Sequence, residues 1–171
     1  LKSLKNTGKA AVILPHGVLF RGNAEGTIRK EILNLRGTNG HRILDAVIGL
    51  PAGMFYGTGI PVCILLLSME KDDDSVMFID ASKEFYKDGN KNRLSGHNIK
   101  KIVDAVLDRK TIPHFAELVS KQRVIENEYN LNIPRYVDTY EAPVKYDIYS
   151  TMFGGIPNSE IADLCKYWDA F

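Results

Sequence analysis

Three aliphatic runs near the start of the chain restrict its fold more than any other feature. They are AAVILP (10–15), ILDAVIGLP (43–51) and IPVCILLLSM (60–69). Each is short, continuous and bounded by turn residues, which is how a strand buried on both faces reads. Between the first two, Ile28, Ile32 and Leu35 recur at helical spacing, with Arg29, Lys30 and Glu31 on the other side, so a helix connects them. Strand, helix, strand predicts a parallel βαβ unit with a right-handed crossover. The link from Pro51 to Ile60 is too short for a second crossover helix, so the third strand turns back antiparallel. A fourth strand, VMFIDAS (76–82), follows the turn KDDDS and is expected to pair with the third as a hairpin. The three aspartates of that turn, Asp72 to Asp74, read as solvated. The expectation is an α/β protein with a mixed sheet.

Downstream, KEFYKDGNKNRL (83–94) reads as a polar loop. Ser95 is placed to cap a helix whose apolar stripe is Ile99, Ile102, Val103, Val106 and Leu107. HFAELVS (114–120) reads as a short strand and KQRVIENE (121–128) as a short helix. In YNLNIPRYVD (129–138), Asn130 and Asn132 alternate with Leu131 and Ile133, the pattern of an edge strand with its polar side in water. An irregular linker (141–157) leads to a helix from Asn158 or Ser159, with Ile161, Leu164, Cys165 and Trp168 along one face.

Composition narrows the classes. The 171 residues are enough for one domain with a real core. Hydrophobic content of 44%, charged content of 25% and a net charge of +1 describe an ordinary soluble protein with no global pull toward nucleic acid or membrane. The longest apolar run, Ile60 to Met69, is far too short to span a bilayer, and a cytoplasmic location fits. Cys63 and Cys165 have no disulfide-scaffold or metal spacing, and the four histidines are scattered. Neither phosphate-loop nor dinucleotide glycine motif is present; Gly57-Thr58-Gly59 is followed by a strand rather than a helix. The chain opens without Met and closes within a helical pattern, as a piece of a longer polypeptide would.

In open α/β sheets, ligands bind outside the carboxyl ends of the parallel strands. Two loops open there: LPHGVLFRGN after the first strand and LPAGMFYGTG after the second. The second carries Met54, Phe55 and Tyr56 before a pliable glycine run. Large rings on a loop are either packed beneath it or held out to touch something.

The segments GKAAVILPHGVLFRGNAEGTIRKEIL, LDAVIGLPAGMFYGTGIPVCILLLSM, FIDASKEF, ENEYNLNIPRYVDT and YDIYSTMFGGIPNSEI resemble, in this order, the later part of the modification (M) subunit of type I restriction–modification systems. That subunit is an N6-adenine DNA methyltransferase that uses S-adenosyl-L-methionine. The resemblance implies a partial class I, Rossmann-like sheet with a late antiparallel strand. Residues 1–140 would be the second half of the catalytic domain, and 141–171 a linker and the start of a helical tail. The family's donor loop and its Asn-Pro-Pro-Phe/Tyr tetrapeptide have no counterpart in this sequence, so no catalytic residue carries over and the chain alone is expected to bind no cofactor.

The resemblance further implies that Phe55, with Tyr56 as second choice, stacks on the adenine taken out of the duplex. Pro15, His16, Phe20, Arg21, Pro51, Gly57 and Gly59 would build the loops around that pocket. Arg135 would meet a DNA phosphate or pair with a carboxylate. The implied partners are DNA and the specificity and restriction subunits. A missing half-sheet would leave an open edge at Ala10–Leu14, giving self-association or contacts that cover it. Two other readings stand beside this one: a non-catalytic module docking a restriction–modification partner, and a generic α/β nucleotide-binding domain.

Overall fold

The computed structural model describes residues 4–138 and 152–156. The chain divides into two units, Leu1–Tyr140 and Glu141–Phe171. The first contains a five-stranded mixed sheet built from β1 (Lys9–Pro15), β2 (Leu44–Gly49), β3 (Val62–Ser68), β4 (Val76–Asp80) and β7 (Ala116–Val119). Their order across the sheet is β1-β3-β2-β4-β7. Helix α1 (Asn23–Asn34) links β1 to β2, and α2 (Gly96–Asp108) precedes β7. The short helix α3 (Lys121–Glu126) follows β7, and a two-stranded hairpin, β5 (Tyr86–Asp88) with β6 (Lys91–Arg93), lies between β4 and α2.

As expected, β3 turns back: it is antiparallel to both β1 and β2 and lies between them. β1 and β2 therefore run in the same direction without touching. One pairing and one burial differ from the sequence expectation. β4 does not form a hairpin with β3; it pairs in parallel with β2 and antiparallel with β7. β1 is not buried on both faces but is an edge strand, mostly exposed, which matches the open edge expected at Ala10–Leu14. An aliphatic run specifies that a strand is to be covered and leaves open what covers it.

Side chains alternate across the sheet. Val47, Cys63, Leu65 and Phe78 point to one face, where Leu19, Leu33, Leu131, Ile133 and Tyr136 cover them. Ala46, Ile48, Met77 and Ile79 point to the other, beneath Ile102 and Ala105 of α2. Helix α2 starts as expected. The Ser95 hydroxyl accepts the Asn98 N–H (3.2 Å), and the Asn98 side chain accepts the Ser95 N–H (2.9 Å).

The amino ends of β2 and β4 are closed by charge. Lys71 Nζ donates to the carbonyls of Leu44 (2.7 Å) and Ser75 (2.6 Å), and Arg109 pairs with Asp45 (2.6 Å) and Asp73 (3.2 Å). Asp74 accepts the Arg42 N–H (2.8 Å), which with Lys121 and His41 holds its carboxyl below the usual carboxylate range. The KDDDS turn is thus a structural clamp: Asp73 and Asp74 are held by cations and backbone, and Asp72 stays exposed as expected.

Of the second unit, Met152 to Ile156 is described; Met152, Phe153 and Ile156 are exposed, and Gly154 and Gly155 have positive φ. The rest of the linker and the helix with Ile161, Leu164, Cys165 and Trp168 lie outside the described residues.

Candidate functional site

The carboxyl ends of β1, β2 and β4 face one way, and three loops leave from them. The first begins at Pro15. A 3-10 turn, His16–Leu19, leads to α1, with Leu19 wholly buried as its anchor. The His16 backbone N–H donates to the Pro61 carbonyl (3.1 Å), which ties this loop to the end of the second. Burial lowers the His16 imidazole below its ordinary value, with Asp80 at the end of β4 opposing the shift. The ring of Phe20 stands edge-on to that of His16, centroids 6.4 Å apart. Arg21 folds back over Gly17, where an added Cβ would lie 2.8 Å from its guanidinium carbon, and it faces Glu25 at 3.7 Å. Arg29 fixes the backbone of the loop by donating to the carbonyls of Val18 (2.8 Å) and Arg21 (2.6 Å).

The second loop joins β2 to β3. Pro51 is fully buried at its root. Beyond it, the rings are held out: Phe55 is 39% exposed and Tyr56 85%. Gly53 and Gly57 have φ of +68° and +77°, conformations that favour glycine. Gly59 has neither a positive φ nor a close neighbour, so no tight approach depends on it.

The stretch read as a featureless polar loop supplies the hairpin β5–β6, and this hairpin grips the second loop. Asn92 donates its side-chain amide to the Ala52 carbonyl (2.7 Å) and its backbone N–H to the Gly53 carbonyl (3.2 Å). Lys91 Nζ donates to the Phe55 carbonyl (2.5 Å) and lies 5.3 Å from the Tyr56 ring centroid. Asp88-Gly89-Asn90 is the sequence signal for this turn, with Gly89 at φ +58°.

Segment 130–136 is not the expected edge strand. Ile133–Arg135 forms a 3-10 turn, and the Asn130 side chain accepts the Asn132 N–H (2.9 Å) instead of facing water. The Leu131 N–H donates to the Leu19 carbonyl (2.9 Å), and Tyr136 stacks on Phe78, centroids 4.0 Å apart. Ile133 sits so close to Gly49 that an added Cβ there would lie 2.7 Å from its Cδ1. The segment is a plug seated on the carboxyl end of β2. Arg135 is exposed, and among the described residues its side chain has no carboxylate partner, so the expected alternative of an ion pair to the sheet is not made.

Neither glycine-bearing loop is a helix-capped cradle for an anionic or nucleotide group. Gly17 is covered by the Arg21 side chain and its loop is tied down by Leu19 and Arg29, and the glycine loop after β2 runs into the antiparallel β3 instead of a helix. Among the described residues no group of three or more His, Cys, Asp or Glu is placed to hold a metal ion, and no helix is long and apolar enough to cross a membrane.

Residues 1–143 match the N-6 DNA Methylase family. The MpnII methylase subunit, a type I restriction enzyme component of Mycoplasma pneumoniae, is 36% identical over 146 residues, covering 85% of this chain and 26% of that protein. The MjaVIII methylase subunit of Methanocaldococcus jannaschii is 34% identical, over 82% of this chain and 24% of that one. Among solved structures, the type I methyltransferase subunit from Streptococcus thermophilus superposes with a TM-score of 0.73 at 50% identity, over 80% of this chain and 28% of that one. This chain therefore spans about a quarter of the length of the relatives it matches. A match over 143 of 171 residues, joined to a fold shared at half identity, settles the kinship: the chain belongs to the N-6 DNA methylase family.

Proposed function

We propose that this chain forms the acceptor side of a type I restriction–modification DNA adenine-N6 methyltransferase. It receives the extruded adenine, while the S-adenosyl-L-methionine donor is held by polypeptide outside this sequence. The observation that carries the reading is the pair of exposed rings, Phe55 and Tyr56, on a braced loop at the carboxyl ends of the parallel strands. An adenine removed from the stack needs a flat apolar surface, and an aromatic ring supplies about 1–3 kcal/mol per base. In this reading the first loop, with Pro15, His16, Phe20 and Arg21, lines the approach to the rings, tied to the second through the His16 N–H and the Pro61 carbonyl, while Pro51 roots the platform loop and Gly57, followed by Gly59, lets it bend. Burial disfavours the charged form of the His16 imidazole, against the pull of Asp80, which suits contact with an uncharged base better than with a phosphate. Arg135 is the exposed cation for DNA phosphate, giving affinity without sequence information.

The partners in this reading are DNA and the specificity and restriction subunits, with further polypeptide or a second copy on the open β1 edge. A purely non-catalytic docking role is not favoured, because the matching relatives are methylase subunits.

In an active methylase containing this sequence, Phe55→Ala is expected to raise the KM for DNA or lower kcat by about tenfold or more. Unchanged values of both would refute the platform role. Calorimetry of the 171-residue chain with S-adenosyl-L-methionine is expected to show no heat of binding. Binding by this chain alone would overturn the division of labour.

A further inference from the structure

The function proposed so far assigns no residue of the hairpin β5–β6 a role of its own, yet this hairpin supplies the contacts that brace the platform loop. The loop bends through two glycines of positive φ and, within itself, has the Ile60 N–H donating to the Thr58 hydroxyl (3.1 Å). Its other anchors come from across the chain. Asn92 holds Ala52 and Gly53; Lys91 holds the Phe55 carbonyl and faces the Tyr56 ring. The hairpin is closed on itself by the Arg93–Asp88 pair (2.7 Å). It is also anchored by its neighbour Glu84, which binds Lys101 and accepts from Asn98 (2.9 Å) on α2. A continuous series of contacts thus leads from the helix through the hairpin to the two rings.

We propose that Lys91 and Asn92 are positioning residues: they latch the Phe55–Tyr56 loop in its outward shape before a base arrives. The proposal rests on the reading of those rings as a base platform. Its physical content is preorganisation, since a loop fixed in advance loses no further freedom when the ligand lands. Lys91 is suited to both tasks at once. Its ammonium has three N–H donors, one spent on the Phe55 carbonyl and the charge turned to the face of Tyr56. Lys87, on the same hairpin and exposed, has the same charge but no contact with the loop among those that brace it, so it separates latching from simple attraction of phosphate.

The test uses the whole 171-residue chain and a single-stranded oligonucleotide in which one adenine is replaced by the fluorescent base 2-aminopurine. Phe55→Ala is expected to weaken binding about tenfold. Lys91→Ala and Asn92→Ala should each weaken it about fivefold, the worth of one bond to a charged or amide donor. Lys87→Ala should change it less than about twofold, and Lys91→Arg, which keeps a cation able to reach carbonyl and ring, should recover most of the loss. Amide hydrogen exchange on the unbound variants should quicken about tenfold at Gly53–Gly57 and stay unchanged in β2 and β4, which excludes general unfolding.

Equal losses in Lys87→Ala and Lys91→Ala, or exchange in the loop unaltered by either latch substitution, overturn the proposal. If Phe55→Ala weakens binding while Lys91→Ala and Asn92→Ala do not, the latch fails and the platform stands. If Phe55→Ala has no effect, or the unmodified chain does not bind the probe, the platform reading fails and takes the positioning role with it.

Discussion

Strands β1 and β2 run in the same direction on either side of β3, and only one of them is enclosed. β2 has a hydrogen-bonded neighbour on each edge and a layer over each face; Ala46 and Val47 are fully buried and Ile48 nearly so. β1 has β3 on one edge and nothing on the other among the described residues, with Val12 40% and Ile13 53% exposed. Beside it, α2 turns Ile99, Val103 and Leu107 to solvent along an apolar groove of about 310 Å³, floored by Ala11, Ile64 and Leu66. The same kind of sequence is satisfied in one strand and unsatisfied in the other. Open edges and apolar patches of this sort are where more protein docks. The difference marks β1 as the side of this chain left open to further protein.

The largest effect should come from trimming the two strands alike. Ile48→Ala is expected to cost about 2–5 kcal/mol, because it opens a cavity between two packed layers. Ile13→Ala should stay within about 0.5 kcal/mol, as a surface change. Urea unfolding at low protein concentration measures both. Equal losses would break the comparison and mean that β1 is already covered in solution.

A smaller effect bears on the open edge itself. At high concentration, light scattering should give a mass above the 19.2 kDa of one chain, as β1 edges pair. Ile13→Lys should weaken that association about tenfold, roughly 1.4 kcal/mol, by placing a charge in the apolar contact. A single-chain mass at every concentration would show that the edge is blunted by other means.

What could be read from the sequence was what local chemistry decides. The Ser95 cap is made by residues three apart, so its signal and its geometry coincide. The reversal of β3 followed from a link too short for a crossover, and the mixed sheet followed from that. Partners were not legible: β4 reads the same whether it lies beside β3 or β2. The hairpin was missed because Tyr86, Lys87 and Asp88 are all exposed, so no apolar alternation marks the strand. Its grip is on backbone carbonyls at Ala52, Gly53 and Phe55, roughly 40 positions away, and a carbonyl leaves no trace in a sequence. Segment 130–136 misled in another way. Leu131 and Ile133 alternate as a strand would and are both buried, but Asn130 satisfies the Asn132 N–H locally and Ile133 to Arg135 close into a turn. Of the candidate residues, Phe55 and Tyr56 were legible as rings at a strand's carboxyl end, whereas their brace was not.

The smallest expected effect sits just past the carboxyl end of β1. His16 follows Pro15 directly, is half-buried, and has its imidazole pKa lowered by that burial, against the opposing pull of Asp80. The folded chain therefore takes up this proton less readily than the unfolded one. Above the ordinary value of 6.5 both states leave the ring neutral, and stability does not depend on it. As pH falls below 6.5 the unfolded chain gains the proton first, so stability declines until the lowered folded value is passed, and then levels off. His16→Asn keeps a planar polar group, though a smaller one, without the titration. Urea midpoints measured between pH 7.5 and 5 should fall less in this variant than in the parent chain, while the Ile13→Ala variant should track the parent. If His16→Asn and the parent lose stability in parallel, the imidazole is solvated in both states, and β1 is then as open at its end as along its length.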